Sequence, residues 1–177
     1  TNNSPATFAV WSPDGRYVAF IVAGEKQPAD GVWFFAPGEF APIQLIVDCP
    51  FDGFVGCNIV RPSPVDNLRL WTSESVHWSA DSGTLLINAN LPSENRGGLI
   101  VRTVTREERI RDERPPVLFY DHGTWGVNGQ IVASGRNPEG RYVVDTIDTS
   151  GNLISRVVDG TAVARQAVQT LEFNMER

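Results

Sequence analysis

The stretch Phe8–Phe20, FAVWSPDGRYVAF, decides the fold of this chain. The stretch begins with the apolar run Phe8–Trp11, which is typical of a β-strand, and ends with Tyr17–Phe20, which we predict to be a second strand with alternating burial. Between them lies the run Pro13-Asp14-Gly15, whose residue types are typical of tight turns. The stretch therefore predicts a β-hairpin with Trp11 near the end of its first strand.

The same pattern returns twice further along the chain. VHWSADSGTLLI surrounds Trp78, and TWGVNGQIVAS surrounds Trp125, where an Asn-Gly pair favours a type I′ turn. Three copies of one unit predict a repeat fold. The pattern assigns as equivalent positions Trp11, Asp14 and Gly15 in the first copy, Trp78, Asp81 and Gly83 in the second, and Trp125, Asn128 and Gly129 in the third.

Each copy is followed by a second pair of candidate strands, so each unit predicts a four-stranded antiparallel meander. Trp78 and Trp125 are separated by roughly the 40–50 residues of one propeller blade. We expect one all-β, propeller-like domain over residues 1–177, with about three four-stranded blades at 6–47, 74–120 and 122–159, an insertion loop at 48–73, and an extra strand or short helix at 161–175.

The turn Trp11-Ser12-Pro13-Asp14-Gly15-Arg16 and the Val-Ala-Phe strand after it resemble the repeat of TolB-type β-propellers, a WD40-like repeat also found in tricorn-type and prolyl-oligopeptidase propellers. In that family the turn joins the inner two strands of a blade. The resemblance covers roughly residues 6–160 and implies a propeller fold. It implies no reaction, since the family includes transport partners, peptidase appendages and binding modules.

Three blades do not close a ring, because propellers pack typically 4–8 blades around an axis. Three arrangements are open. The chain is a partial propeller that a longer parent chain completes, half of a dimeric one in which two copies supply six blades, or an altered arrangement that stays open.

Charge and hydropathy exclude two classes of partner. The net charge is −6 and the pI is about 4.9, which argues against a phosphate-binding surface for nucleic acid. No apolar run approaches the roughly 20 residues of a membrane-spanning helix. We therefore predict neither a nucleic-acid partner nor a membrane span in this chain.

Motifs that carry chemistry are missing from the sequence: there is no nucleophile elbow, zinc-protease helix, phosphate-binding glycine loop or Cys-x-x-Cys pair. Turn chemistry accounts for Asp14, Asp81 and Asn128 without a metal. We predict no catalytic, cofactor-binding or metal-binding residue, and no cofactor.

Three sets of residues have open roles. The repeated tryptophans are predicted to pack between blades. Cys49 and Cys57 either form a disulfide or are two small buried hydrophobes. The candidate ligand contacts are Trp33, Trp71, His77 and His122.

These observations predict a non-catalytic binding or scaffolding module for a protein or peptide partner. One alternative is a propeller segment of a larger, peptidase-type hydrolase whose catalytic residues lie outside this chain. A weaker alternative is a carbohydrate- or ion-binding propeller. The resemblance to TolB-type repeats also implies a bacterial, extracytoplasmic location, in the periplasm, in the medium or on an anchored protein.

Overall fold

The structure is a computed structural model that describes residues 6–23, 30–47, 72–91, 96–104, 117–118, 120–136 and 141–159. Several predictions concern residues outside this description: the disulfide between Cys49 and Cys57, the ligand contact at Trp71, most of the insertion loop, and the element at 161–175.

The described residues form three four-stranded antiparallel sheets, which confirms the predicted fold class. We call them blades 1, 2 and 3. The strands are β1 (Ala6–Trp11), β2 (Val18–Val22), β3 (Gly31–Ala36) and β4 (Phe40–Val47) in blade 1; β5 (Thr72–Trp78), β6 (Thr84–Leu91), β7 (Arg96–Thr103) and β8 (Val117–Leu118) in blade 2; and β9 (His122–Trp125), β10 (Ile131–Arg136), β11 (Tyr142–Ile147) and β12 (Leu153–Asp159) in blade 3.

Every blade is a meander in which each strand pairs with the next one in the chain. The tryptophan of each repeat has the same place in the register: Trp11 lies opposite Val18, and Trp78 lies opposite Leu85. One boundary differs from the prediction. The sequence places Thr72 and Ser73 in the insertion loop, but in the structure they pair with β6 and belong to blade 2.

Alternation of side chains along each strand sends neighbouring residues to opposite faces of a blade. In β6, Leu85 and Ile87 join the core shared with blade 1, whereas Leu86 joins the core shared with blade 3. Blade 2 is therefore covered on both faces. Blades 1 and 3 are each covered on one face by their neighbour in this chain.

A buried polar network links blade 3 to Tyr120, which lies just before the first strand of that blade. The Tyr120 hydroxyl donates to Asp145 Oδ2 over 2.9 Å, and Arg156 Nε donates to Asp145 Oδ1 over 3.0 Å. Asp145 is fully buried. A buried carboxylate needs such partners, since an unpaired charge in the core is costly.

The same network makes folding sensitive to alkaline pH. Burial, together with the bond to Asp145, raises the pKa of Tyr120 to about 12 from its ordinary 10.0. The folded chain therefore holds the phenol proton more tightly than the unfolded chain. We expect the free energy of unfolding to be constant in this respect below pH 10 and to fall as the pH rises from 10 towards 12.

Titration by phenolate absorbance tests that expectation. The folded protein should show a component near pH 12 that Tyr120→Phe removes. At neutral pH the variant should be about 1.5–3 kcal/mol less stable, because it lacks a hydrogen bond to a charged group. Identical titration curves for the two proteins would contradict the assignment.

Candidate interaction surface

The turn between the first two strands is built alike in blades 1 and 2. The Ser12 hydroxyl donates to Asp14 Oδ1 over 2.6 Å and accepts from the Tyr17 amide over 2.9 Å. Ser79 and Asp81 repeat both bonds in blade 2. The repeat therefore needs Ser two residues before Asp, so that the two side chains satisfy the turn's own donors.

Hydrogen bonds donated by the turn serines lower the pKa of Asp14 and of Asp81, and hydrogen bonds from backbone amides lower it further. The charged carboxylates thus favour the folded state at pH values above the ordinary 3.8. This contribution is lost as the pH falls through the lowered pKa.

The structure corrects the predicted equivalence of Gly15 and Gly83. Gly15 has a φ of 71° and its amide donates to Ser12; in blade 2 the residue in that conformation is Ser82, with a φ of 61° and its amide donating to Ser79. Gly83 instead matches Arg16, since both amides donate to the turn aspartate. The sequence signal failed because serine rarely adopts positive φ.

Ser82 holds this conformation because its side chain joins two blades. Its hydroxyl accepts the Asp14 amide of blade 1 over 3.1 Å, and the residue is 5% exposed. In blade 3, Asn128 and Gly129 take positive φ at 58° and 71°, as a type I′ turn requires.

Two substitutions at Ser82 separate the cost of its positive φ from the contribution of its hydrogen bond to Asp14. Ser82→Ala removes the acceptor and keeps a side chain at positive φ, so it should destabilise the fold by about 1–2 kcal/mol. Ser82→Gly loses the same bond but relieves the backbone, so we expect it to be about 1 kcal/mol more stable than Ser82→Ala. Urea unfolding measures both. A glycine variant no more stable than the alanine variant would contradict the positive-φ assignment.

The repeated tryptophans fasten each blade to the one before it. Trp78 Nε1 of blade 2 donates to the Val10 carbonyl of blade 1 over 3.2 Å. Trp125 Nε1 of blade 3 donates to the His77 carbonyl of blade 2 over 2.9 Å. In both cases the acceptor is the residue directly before the tryptophan of the preceding repeat.

The chain is built from propeller blades. Repetition of one sheet, one turn and one blade-to-blade hydrogen bond is what radial packing of equivalent blades produces. We call the face that a blade turns towards its predecessor its front face, and the opposite one its rear face.

Trp11 corrects the prediction that all three tryptophans pack between blades. Its side chain is 58% exposed, against 7% for Trp78 at the equivalent position. Within the part of the chain that the structure describes, no blade precedes blade 1, and the Trp11 indole has no hydrogen-bond partner there. Burial at this position depends on the neighbouring blade, which the local pattern cannot reveal.

The front face of blade 1 is an aromatic surface. The register places Trp11, Val18 and Phe35 in one row across the sheet, and Ala9, Phe20 and Trp33 in the next row. Opposite residues share a face, so four aromatic rings lie on it. The open front face is the set Trp11, Phe20, Trp33 and Phe35.

The rings of the open front face support one another. The Phe20 ring stacks on Trp33 at a centroid distance of 6.4 Å and meets Phe35 edge-on at 6.0 Å. Pairs of this kind stabilise the arrangement of the rings by about 0.5–1.5 kcal/mol each. The face is therefore a preorganised surface on a four-stranded sheet, with Phe20, Trp33 and Phe35 half-buried and Trp11 standing out of it.

The rear face of blade 3 is the other face without a neighbouring blade among the described residues. Val132 lies between Thr124 and Thr146 across the sheet, and Val144 lies in the next row. These side chains are smaller than the aromatic rings of blade 1. We call the set Thr124, Val132, Val144 and Thr146 the open rear face.

The candidate ligand contacts that the structure describes do not form one site. Trp33 lies on the open front face of blade 1. His122 is exposed and pairs with Ser134, so it lies beside the open rear face of blade 3. His77 is half-buried, with its ring edge-on to Phe8 of blade 1 at 6.3 Å.

Ser75 and His77 form a Ser–His pair, with Oγ and Nε2 at 3.2 Å. Burial lowers the pKa of His77 from its ordinary 6.5, which favours the neutral ring. The Asn88 amide donates to Ser75 Oγ and also to the Gly123 carbonyl, while the Gly123 amide donates to Asn88 Oδ1. Ser75 thus belongs to a junction between blades 2 and 3.

The sequence does not predict a role for three residues. Phe20 and Phe35 belong to the open front face, and Asn88 belongs to the junction between blades 2 and 3. The hairpin register from Trp11 would have placed the first two beside it. Asn88 has no local signal, because it occupies the position of Ile21 in blade 1 and replaces an apolar contact by bonds to the Gly123 backbone.

The described ranges contain no group of three His, Cys, Asp or Glu side chains that could hold a metal ion. In the same ranges, no helix has the length and hydropathy needed to cross a membrane.

The comparisons with known proteins concern the fold alone. No family model matches the chain, and no curated protein matches it. Its structure is similar to TolB from Acinetobacter baumannii, at 14% identity and a TM-score of 0.49 over 86% of this chain and 32% of that one. It is similar to the periplasmic gluconolactonase PpgL of Pseudomonas aeruginosa, at 17% identity and a TM-score of 0.49 over 89% and 40%.

A structural-genomics protein from Lactobacillus plantarum is also similar, at 18% identity and a TM-score of 0.45 over 88% of this chain and 42% of that one. The chain thus spans less than half the length of each of these proteins. The predicted propeller fold is confirmed by the blades themselves, and a TolB protein is among the structures that the chain resembles.

Proposed function

We propose that this chain is a non-catalytic binding module that docks a protein partner on the open front face of blade 1. One observation carries the proposal: the repeat tryptophan is 7% exposed in blade 2, where a blade covers it, and 58% exposed in blade 1. Protein interfaces are enriched in aromatic side chains, and exposed apolar patches on folded domains mark interaction sites.

The shape of the face favours a sheet as its ligand. Inside the chain, the front faces of blades 2 and 3 each pack against the rear face of another sheet. The open front face repeats that geometry. We therefore favour a partner that presents an apolar sheet face over a sugar or an extended peptide.

Site-specific photo-crosslinking tests the proposal. A photoreactive residue replacing Ala9, which is exposed in the row beside Trp11, should capture a protein in the host cell. The same group at Glu39, which is exposed in the β3–β4 turn, is the matched control and should capture no protein. The captured protein, once purified, should bind at least about 10-fold more weakly to Trp11→Ala, about 1.4 kcal/mol.

Equal adducts from positions 9 and 39, or unchanged affinity for Trp11→Ala, would overturn the proposal. The larger-hydrolase alternative remains a prediction about residues outside this chain. A parent gene that adds a nucleophile elbow beside these blades would support it.

We also propose an extracytoplasmic location, which rests on the resemblance of the repeat and on Cys49 and Cys57. In that compartment the two cysteines should be joined. Mass spectrometry of the alkylated protein tests this: both thiols should react only after reduction.

A further inference from the structure

We infer that the sheet which covers the open front face is the open rear face of blade 3 in a second copy of this chain, so that two copies form a closed six-bladed ring. The inference rests on the proposed docking surface and names its partner. Three features of the two faces carry it.

The first feature is a matched hydrogen bond. Each tryptophan bond within the chain joins the indole of one repeat to the carbonyl one residue before the tryptophan of the preceding repeat. The open front face presents the donor half, Trp11 Nε1. The open rear face presents the acceptor at the equivalent position, the Thr124 carbonyl. A second copy would therefore form the same bond a third time.

The second feature is the size of the side chains on the open front face. In the repeat register, Phe20 occupies the position of Ile87, and Trp33 occupies that of Ile100. Both isoleucines are fully buried against blade 1. The open front face therefore projects larger side chains than the covered front face of blade 2.

The open rear face has correspondingly smaller side chains. Val132 occupies the position of Leu86, and Val144 occupies that of Leu99. Each change removes one methylene. Large rings on one face and reduced side chains on the other are complementary, as close packing of a sheet interface requires. A front-to-front pair would instead bring the two sets of large rings together.

The third feature is closure. Contact between unlike faces is head to tail, and such contacts build either a ring or an open filament. Two copies of the three described blades give six, which lies within the 4–8 blades of known rings. Each copy then uses both of its open faces, and the ring contains two identical interfaces.

Light scattering on the whole chain, from about 1 to about 100 μM, tests the ring, because micromolar interfaces assemble in this range. The expected mass is twice the 19.5 kDa of one chain. Trp11→Ala disrupts the open front face, and Thr146→Arg disrupts the open rear face. Both variants should therefore have the mass of one chain. Thr103→Arg, the same change at an exposed position of blade 2, should leave the dimer intact.

Near-ultraviolet circular dichroism should show all three variants folded. If Thr146→Arg alone unfolds, Thr146→Trp, which fills the space for the incoming rings, takes its place. A wild-type mass of 19.5 kDa throughout would overturn the inference. A dimer of Thr146→Arg would also overturn the inference, because it would show that the two copies contact each other through their front faces. A monomer whose position 9 still captures another protein would overturn the ring and leave the proposed docking surface standing.

Discussion

Trp78→Ala should lower the free energy of unfolding by about 3–5 kcal/mol, the range for removing a large buried aromatic side chain. The Trp78 ring is 7% exposed and stacks on Tyr17 of blade 1 at 6.1 Å, while its indole donates to Val10. The substitution removes the contact, the stack and the bond together. Urea unfolding followed by circular dichroism measures the loss.

Trp11→Ala is the matched control, because it makes the same change at the equivalent position of blade 1. With 58% of the side chain exposed, the loss should stay within about 1 kcal/mol when the chain is dilute enough to be monomeric. Comparable losses for the two variants would mean that the blades are not stacked in the order described.

Gly97→Ala should destabilise the junction between blades 2 and 3 by about 1–3 kcal/mol or more, as overpacking does. A Cβ at Gly97 would lie 2.2 Å from the backbone oxygen of Asp121 and 2.5 Å from its Cα. The Gly97 amide also donates to Asp121 Oδ1 over 3.1 Å. Backbone cannot swing aside as a side chain can, so the two segments must separate.

Gly83→Ala provides the comparison. Its Cβ would come no closer than 3.4 Å to any neighbour, and only to the Asp81 side chain. Neither Gly97 nor Gly83 has a positive φ, so the two substitutions differ only in the room available for the added Cβ. Gly83→Ala should change stability by less than about 0.5 kcal/mol. A tolerated Gly97→Ala would contradict the close approach of Asp121 to β7.

The blades were predictable from the sequence because their signals are local. Short apolar runs such as Phe8–Trp11 indicate the strands, and the turn residues around Asp14 and Asn128 indicate the hairpins. The tryptophan positions followed from the repeat. The equivalence of Gly15 and Gly83 did not hold, because Ser82 is kept at positive φ by a bond to the Asp14 amide 68 residues away.

The candidate surface was predictable in part. The sequence predicts Trp33 as a ligand contact, and Trp33 lies on the open front face. The exposure of Trp11 was not predicted, because the same residue in the same local pattern is buried at Trp78. What differs is the presence of a preceding blade, and no pattern within one repeat encodes its neighbour.

Indole hydrogen exchange tests the central claim, the repeated tryptophan bond between blades, most directly. Nuclear magnetic resonance of tryptophan-labelled protein, assigned with single Trp→Phe variants, would follow the Nε1 protons of Trp78 and Trp125. Both should be strongly protected, since each donates to a carbonyl of the preceding blade. Exchange of either proton at the rate of a free indole would contradict the blade-to-blade register on which the fold, the docking surface and the ring all depend.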